Sequence, residues 1–310
     1  TMTPHVRAVL CGILAMSVAV CASAGSAGLN QALTKRLEMF ESAFAKQNAT
    51  AAAAFFTSYG VFLSADYAPF VGQIGVENAL QGLMAEGTMA MDLELQYATV
   101  ITDDPFMAYS ICSYVKHGAQ GVMDTGHSSF VWVLVDEPVE GSVWQVLAVS
   151  SASNKTSSMP LAAPMAMKRP LVDTVAPHSN LAAIEAAQTF FNQFTKTFNA
   201  KGSASDYAGM LSSDVTIFTK DAPQVTGSAE ALGFLTKALP AKGYAFASSV
   251  VVEAGAHSSD LFMYARGAMS FFDQNGSLLS ANNFLCLMVG TASASHLTLA
   301  SLSVTPTADF

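Results

Sequence analysis

Two groups of polar side chains in this sequence could line a pocket, and the histidines among them could move a proton. Tyr97, Tyr114, His117, His127 and Trp132 form one; Tyr264, Arg266, His257 and His296 form the other. A histidine near an aspartate or tyrosine can take a proton from a substrate and return it near neutral pH, the minimal equipment of a dehydratase or cyclase. Asp66, His127 and Asp221 are the catalytic candidates on that view. The plainer alternative is that each histidine is a strand-end or loop residue solvated by water, and geometry has to decide. His117 and His127 flank the segment GAQGVMDTG with Asp124 between them, a spacing too sparse for zinc or calcium. The glycines of that segment lack a strand-to-helix context and read as turns, not as a phosphate cradle. No metal and no cofactor is expected.

The elements that must position these residues are written twice. The phrase APFVGQIGVENALQGL in the first half returns as APQVTGSAEALGFL in the second. Phe40 falls on Phe194, Phe44 on Phe198 and, without a gap, Leu63 on Ile217. Gly75, Ala79, Leu80 and Leu83 then match Gly227, Ala231, Leu232 and Leu235 if the first copy holds two extra residues. Further on, FVWVLV lies over FLCLMV. Matches in the same order at separate places indicate a duplicated domain with a period far too long for a solenoid. No histidine of one copy meets a histidine of the other, which counts against a catalytic imidazole older than the duplication.

Each copy opens with an amphipathic helix, marked by Leu29, Leu33, Leu37, Phe40 and Phe44 and again by Ile184, Ala187, Phe191, Phe194 and Phe198. A short second helix, a brief strand and a Pro/Gly turn follow, and a third helix starts after the glycine. The period then changes toward two. Four strands are expected over 93–101, 106–116, 127–135 and 143–151, answered by 246–253, 261–272, 278–289 and 296–304. The fold class is therefore α+β: two tandem domains, each with N-terminal helices packed on a curved, mostly antiparallel sheet. The domains are expected at 29–154 and 181–306, joined by a Pro/Ala/Met-rich linker at 155–180 whose prolines forbid a continuous helix.

The paired Phe stripe, the x-P-x-V-x-G turn, the G-x-x-x-A-L helix and the four-strand meander together resemble the nuclear transport factor 2-like superfamily, in its SnoaL-like or ketosteroid-isomerase-like branch. The resemblance implies two tandem cone-shaped domains, in each a sheet wrapped around a pocket beneath the long helix, and pairing through the outer sheet face. Ketosteroid isomerisation uses a carboxylate base with a tyrosine and a protonated aspartate as donors. Laid on this chain, those positions fall at Ser64, Phe40 and Ser128 in the first copy and at Phe218, Phe194 and Asn282 in the second. Asp66 and Asp221 lie close enough to the base position to be alternatives. Phenylalanine has no proton to donate, so isomerase chemistry is not expected. With Phe130, Trp132 and Phe284 from the neighbouring strands, these positions are the expected ligand-binding set.

Of 310 residues, 51% are hydrophobic, enough to fill two cores, and only 12% are charged, about half the usual ~25%. A net charge of −9 without a basic cluster argues against nucleic acid as a partner. The basic stretch TMTPHVR, an apolar run and Ala22-Ser23-Ala24 read as a secretory signal over 1–24, leaving no membrane segment after cleavage; a retained anchor helix is the alternative. Cys112 and Cys286 then read as buried free thiols. Asn48, Asn154 and Asn275 head N-x-S/T sequons, acceptors in a eukaryotic host. Val131, Val133 and Val135, with Leu285, Leu287 and Val289, leave the outer faces apolar, so the two domains are expected to pair with each other. The resulting expectation is a secreted tandem protein holding a small apolar or amphipathic molecule without turnover. The alternatives are an isomerase, cyclase or dehydratase acting on a polycyclic or polyketide-like substrate, and a protein-interaction scaffold with filled cores.

Overall fold

A computed structural model describes residues 27–64, 69–103, 106–137, 141–154, 181–219, 224–256, 262–290 and 297–306. The expected signal segment and linker lie outside the described residues, as do Asp66, Asp221, His257 and His296.

In the first half, helix α1 covers 27–45, and α2 (Ala49–Ala53) and β1 (Phe56–Ser64) follow. Next come β2 (Phe70–Val71), α3 (Gly72–Ala85), β3 (Ala90–Asp103), β4 (Phe106–Gly118), β5 (Gly121–Glu137) and β6 (Gly141–Ser153). The second half repeats this order with α4 (Leu181–Asn199), α5 (Ala204–Ala208), β7 (Leu211–Thr219), β8 (Val225–Thr226) and α6 (Ser228–Gly233). A π-helical turn, Phe234–Ala238, and the short α7 (Leu239–Ala241) precede β9 (Phe246–Ala256), β10 (Phe262–Phe272), β11 (Leu278–Val289) and β12 (Thr298–Pro306). No helix among the described residues is long and apolar enough to cross a membrane.

Among the described residues the strands form two six-stranded sheets, ordered β2-β1-β6-β5-β4-β3 and β8-β7-β12-β11-β10-β9. All neighbours are antiparallel except β1 with β6 and β7 with β12. The long helix of each half lies across the concave face of its sheet, held by its apolar stripe: Leu33, Leu37 and Phe44 in one, Ala187, Phe191 and Phe198 in the other. Side chains of that helix also occupy the open edge of the meander. Glu41 accepts from the Leu93 backbone N–H, while Gln188 accepts from Val251 N at 2.7 Å and Asn199 from Ala247 N at 2.6 Å. Edge-strand donors that would otherwise face water or another chain are satisfied locally. Both halves thus have the α+β, helices-on-curved-sheet arrangement.

The structure corrects the register of the repeat. Gln47 and Lys201, both at φ 54°, mark the same turn, yet the next helix caps are Asn48 and Ser203. Gly202 is therefore an extra residue in the second copy. From there Phe62, paired with Phe70, corresponds to Ile217, paired with Val225; Leu63 corresponds to Phe218 and not to Ile217. The glycines that start the third helix are Gly72 (φ 73°) and Gly227 (φ 85°), a left-handed backbone that favours glycine. Gly75 instead lies one turn inside α3. The helix match follows: Leu80 corresponds to Leu235, both buried, whereas Leu232 is only partly so. No two-residue insertion is needed in the first copy.

A third apolar cluster contains residues of both halves. Val61, Leu63, Val131 and Val133 pack there with Phe218, Leu285 and Leu287. Tyr109 donates a hydrogen bond to Ser301 Oγ at 2.9 Å, and Ser150 and Ser303 share one at 2.9 Å. At the edge of this region Glu253 is 1% exposed; it accepts from Tyr264 OH at 2.8 Å and from Arg266 Nε at 2.8 Å.

Candidate functional site

The first domain contains a slot between α1, α3 and the concave sheet. Its floor is the stacked pair Phe130 and Trp132, ring centroids 5.2 Å apart, on β5. Strand alternation brings Ser128, Phe130 and Trp132 to the same face. Trp132 is fixed by its indole N–H, which donates to Ser110 Oγ at 2.8 Å. Phe40, Phe55 and Phe62 form the walls, Leu37, Leu80 and Leu83 the roof, and Met91 and Leu93 the side toward β3. The space between lining atoms is about 610 Å³ with the mouth included, but only about 30 Å³ admits the centre of a water molecule. Space of that size holds a water molecule or two, so a ring-sized molecule enters only if the lining side chains move apart.

Polar groups gather where β4, β5 and β6 meet. Tyr114 donates to Asp124 Oδ2 at 2.9 Å, and Ser153 donates to Asp124 Oδ1 at 2.6 Å. Lys116 Nζ lies 3.6 Å from the same carboxylate and 5.0 Å from the centre of the Tyr114 ring. Gly126 makes this possible, because a Cβ there would sit 2.6 Å from the Tyr114 hydroxyl. Burial and the adjacent Asp124 charge push the Tyr114 phenol well above its ordinary pKa. Ser128 and Ser151 share a hydrogen bond of 2.8 Å on the slot wall. Elsewhere on the lining, the Arg36 guanidinium lies 4.3 Å over Phe55 and donates from Nε to the Trp144 carbonyl at 2.8 Å. Glu41, beside Phe40, has its carboxyl raised chiefly by burial, against the lowering effect of the Leu93 N–H.

The sequence-derived positions separate into three places. Phe40, Ser128, Phe130 and Trp132 line the slot. Ser64 pairs with Ser151 across β1 and β6 and is buried beside the slot without lining it. Phe194, Phe284 and Asn282 belong to the interior of the second domain, where Asn282 Nδ2 donates to the Met269 carbonyl at 3.1 Å.

Phe218 and His127 are corrections. The one-residue slip at Gly202 turns Phe218 to the outer face, where its ring stacks on His127 at 4.9 Å. His127, odd-numbered on β5, points away from Ser128 and the slot; its Nδ1 is buried without a hydrogen-bond partner. Desolvation holds its pKa below the usual histidine value. It cannot serve as a base toward anything in the slot. Tyr264 and Arg266 are likewise committed to Glu253 between the halves, and His117 pairs with Asp92 at 2.8 Å on the surface. Asn48, Asn154 and Asn275 are exposed, Asn48 with its side chain capping α2 by accepting from Ala51 N at 3.0 Å.

Arg36, Lys116 and Ser151 were not singled out from the sequence. A signal was present: Lys116 continues the inward alternation of Ser110, Cys112 and Tyr114, and a cation at an inward position is unusual. Arg36 stands where the second copy has Phe190, and Leu37 where it has Phe191. In that copy the phenylalanines belong to the core of the domain, Phe191 packing on Phe284 at 4.4 Å and Phe190 on Phe194 at 6.3 Å.

No protein-family model matches the chain, and no curated protein matches it. Solved structures match one domain length at a time. Aln2 from a Streptomyces species is 16% identical over 41% of this chain and 91% of its own, with a TM-score of 0.33. ActVI-ORFA from Streptomyces coelicolor is 15% identical over 41% of this chain and 98% of its own, TM-score 0.34. A ketosteroid isomerase-like protein from Erwinia carotovora atroseptica is 15% identical over 40% of this chain and 95% of its own, TM-score 0.33.

Proposed function

We propose that this chain is a binding protein that holds one small, flat, apolar or amphipathic molecule in the slot of its first domain, without turnover, while the second domain serves as scaffold. The observation that carries the reading is the contrast between the copies: one interior is an aromatic-walled slot, and the other is packed by Phe190 and Phe191 at the positions of Arg36 and Leu37. A pocket dominated by apolar walls with a few convergent polar groups is the usual form of a small-molecule site. Binding without chemistry is supported by the state of Asp124, the carboxylate joined to the lining residue Tyr114, whose two oxygens each already accept a hydroxyl hydrogen bond. Tyr114 spends its proton on that carboxylate and is not free to donate to a developing oxyanion. The cluster shared by both halves supports their pairing within the chain. The N-terminal run ending at Ala22-Ser23-Ala24 supports export from the cytoplasm.

Native mass spectrometry of the mature protein tests this reading. The parent should carry about one small molecule per chain, unchanged in mass on prolonged incubation, and the double variant Arg36→Phe/Leu37→Phe should carry none, because it fills the slot as the second domain is filled. A parent that neither retains nor rebinds any small molecule, a filled variant that carries as much, or a bound compound that is converted would overturn it.

A further inference from the structure

The polar corner of the slot is one-sided in what it offers. Asp124 accepts from Tyr114 and Ser153, one hydroxyl to each oxygen, and does not itself line the slot, while the phenol proton is turned toward it. Lys116 is 3.6 Å from that carboxylate, beyond ordinary hydrogen-bond length, so the ammonium gains Coulomb attraction there while its N–H groups keep donor capacity. Its side chain is 17% exposed and lines the slot. In the Ser128–Ser151 pair one hydroxyl donates to the other, which leaves one O–H free to donate elsewhere. The uncommitted donor protons on the slot lining are thus those of Lys116 and the serine pair, one group cationic, at the end of an aromatic cleft.

Resting on the reading of this slot as a binding site, we infer that its ligand is an aromatic anion: a flat ring system in the cleft, carrying a carboxylate, phenolate or similar acceptor that is seated on Lys116 and the Ser128–Ser151 pair. A neutral apolar ligand would leave a partly buried ammonium without a hydrogen-bonded partner, and a cationic one would meet it with like charge. The ring system packs on the Phe130–Trp132 stack. The acceptor closes the donor set that the protein itself does not satisfy.

Three probes of one shape separate the possibilities: 2-naphthoate, 2-naphthalenemethanol and 2-naphthylmethylammonium, titrated against full-length Trp144→Phe, in which Trp132 is the remaining tryptophan of the two. Quenching of Trp132 places the probe in the slot. Naphthoate should bind about tenfold or more tightly than the alcohol, the scale of a hydrogen bond to a charged group, and the ammonium most weakly. Adding Lys116→Met should abolish the preference for naphthoate over the alcohol, and Lys116→Arg should restore most of it. Equal affinities for naphthoate and the alcohol in the parent, or a preference that survives Lys116→Met, would overturn the inference and leave the slot standing as a neutral site. Failure of all three probes to quench would overturn both readings. Should Lys116→Met not fold, Lys116→Gln and the ratio measured in the parent decide the matter in the same way.

Discussion

His127 brings an unsatisfied ring nitrogen to the boundary between the two halves, against the face of Phe218. Since burial lowers its pKa, the folded chain binds fewer protons at this site than the unfolded chain does between the two values. Its contribution to stability is complete above the unfolded pKa of about 6.5 and is lost as pH falls through the lower folded value. His127→Phe keeps the ring stack and removes the titration. The variant should melt close to the parent at pH 8 and above it at pH 5, on the few-degree scale of a small stability change, about 2–4 °C per kcal/mol in a chain of this size. The same difference at both pH values would mean that His127 titrates alike folded and unfolded. Ring and hydroxyl residues at inward positions were legible because alternation on β5 places Ser128, Phe130 and Trp132 on one face. Arg36 and Lys116 were not, since periodicity marks apolar stripes and treats a cation within one as an interruption. His127 failed for the converse reason: its chemistry drew attention, whereas its odd-numbered place on β5 already assigned it to the other face.

Among the elements, the order of helices and strands could be read in both copies, and the meander strands lie where alternation places them, except that β5 begins six residues early at Gly121, so that most of the segment GAQGVMDTG read as turn is strand. The correspondence between copies was harder. Gly202 adds one residue at a turn, and the π-helical turn at Phe234–Ala238 adds another, so that Leu83 of α3 is answered by Leu239. Neither insertion disturbs the hydrophobic pattern enough to be seen in sequence, yet a one-residue shift in β7 exchanges its inner and outer faces. The outer face of β5 gives a direct test. Val133, 1% exposed, sits in the cluster built from both halves. Val133→Asp places an unpaired charge there and should cost about 4 kcal/mol or more. Urea denaturation followed by Trp132 fluorescence and by far-ultraviolet circular dichroism should still give one coincident transition. Loss of the first-domain signal while the second domain unfolds at its parental midpoint would show the two halves to be energetically independent.

Across the whole molecule, the buried Glu253–Arg266 pair on β9 and β10 lies close enough to the first domain for its charge to be felt there. Arg266 Nη2 lies 2.6 Å from Glu253 Oε2, and the phenol of Tyr59, in the first domain, is raised first by burial and then by the charge of Glu253. Removing one partner of a buried pair leaves the other uncompensated, so Glu253→Ala should cost about 3–5 kcal/mol, whereas Glu253→Met with Arg266→Leu should recover most of it. Equal loss in the single and double variants, measured by urea denaturation, would assign the effect to packing alone. The two cones differ in a way that linkage in one chain makes possible. In a symmetric assembly of identical subunits every substitution appears in each subunit, so a residue that opens one interior opens them all and the fold bears the cavity cost each time. Here the phenylalanines at 190 and 191 close one interior without touching its twin. A covalent duplicate is free to carry mutations in one half only. The filled half can accumulate substitutions that raise stability, the half with the slot can accumulate those that shape recognition, and the shared boundary lends each the benefit of the other.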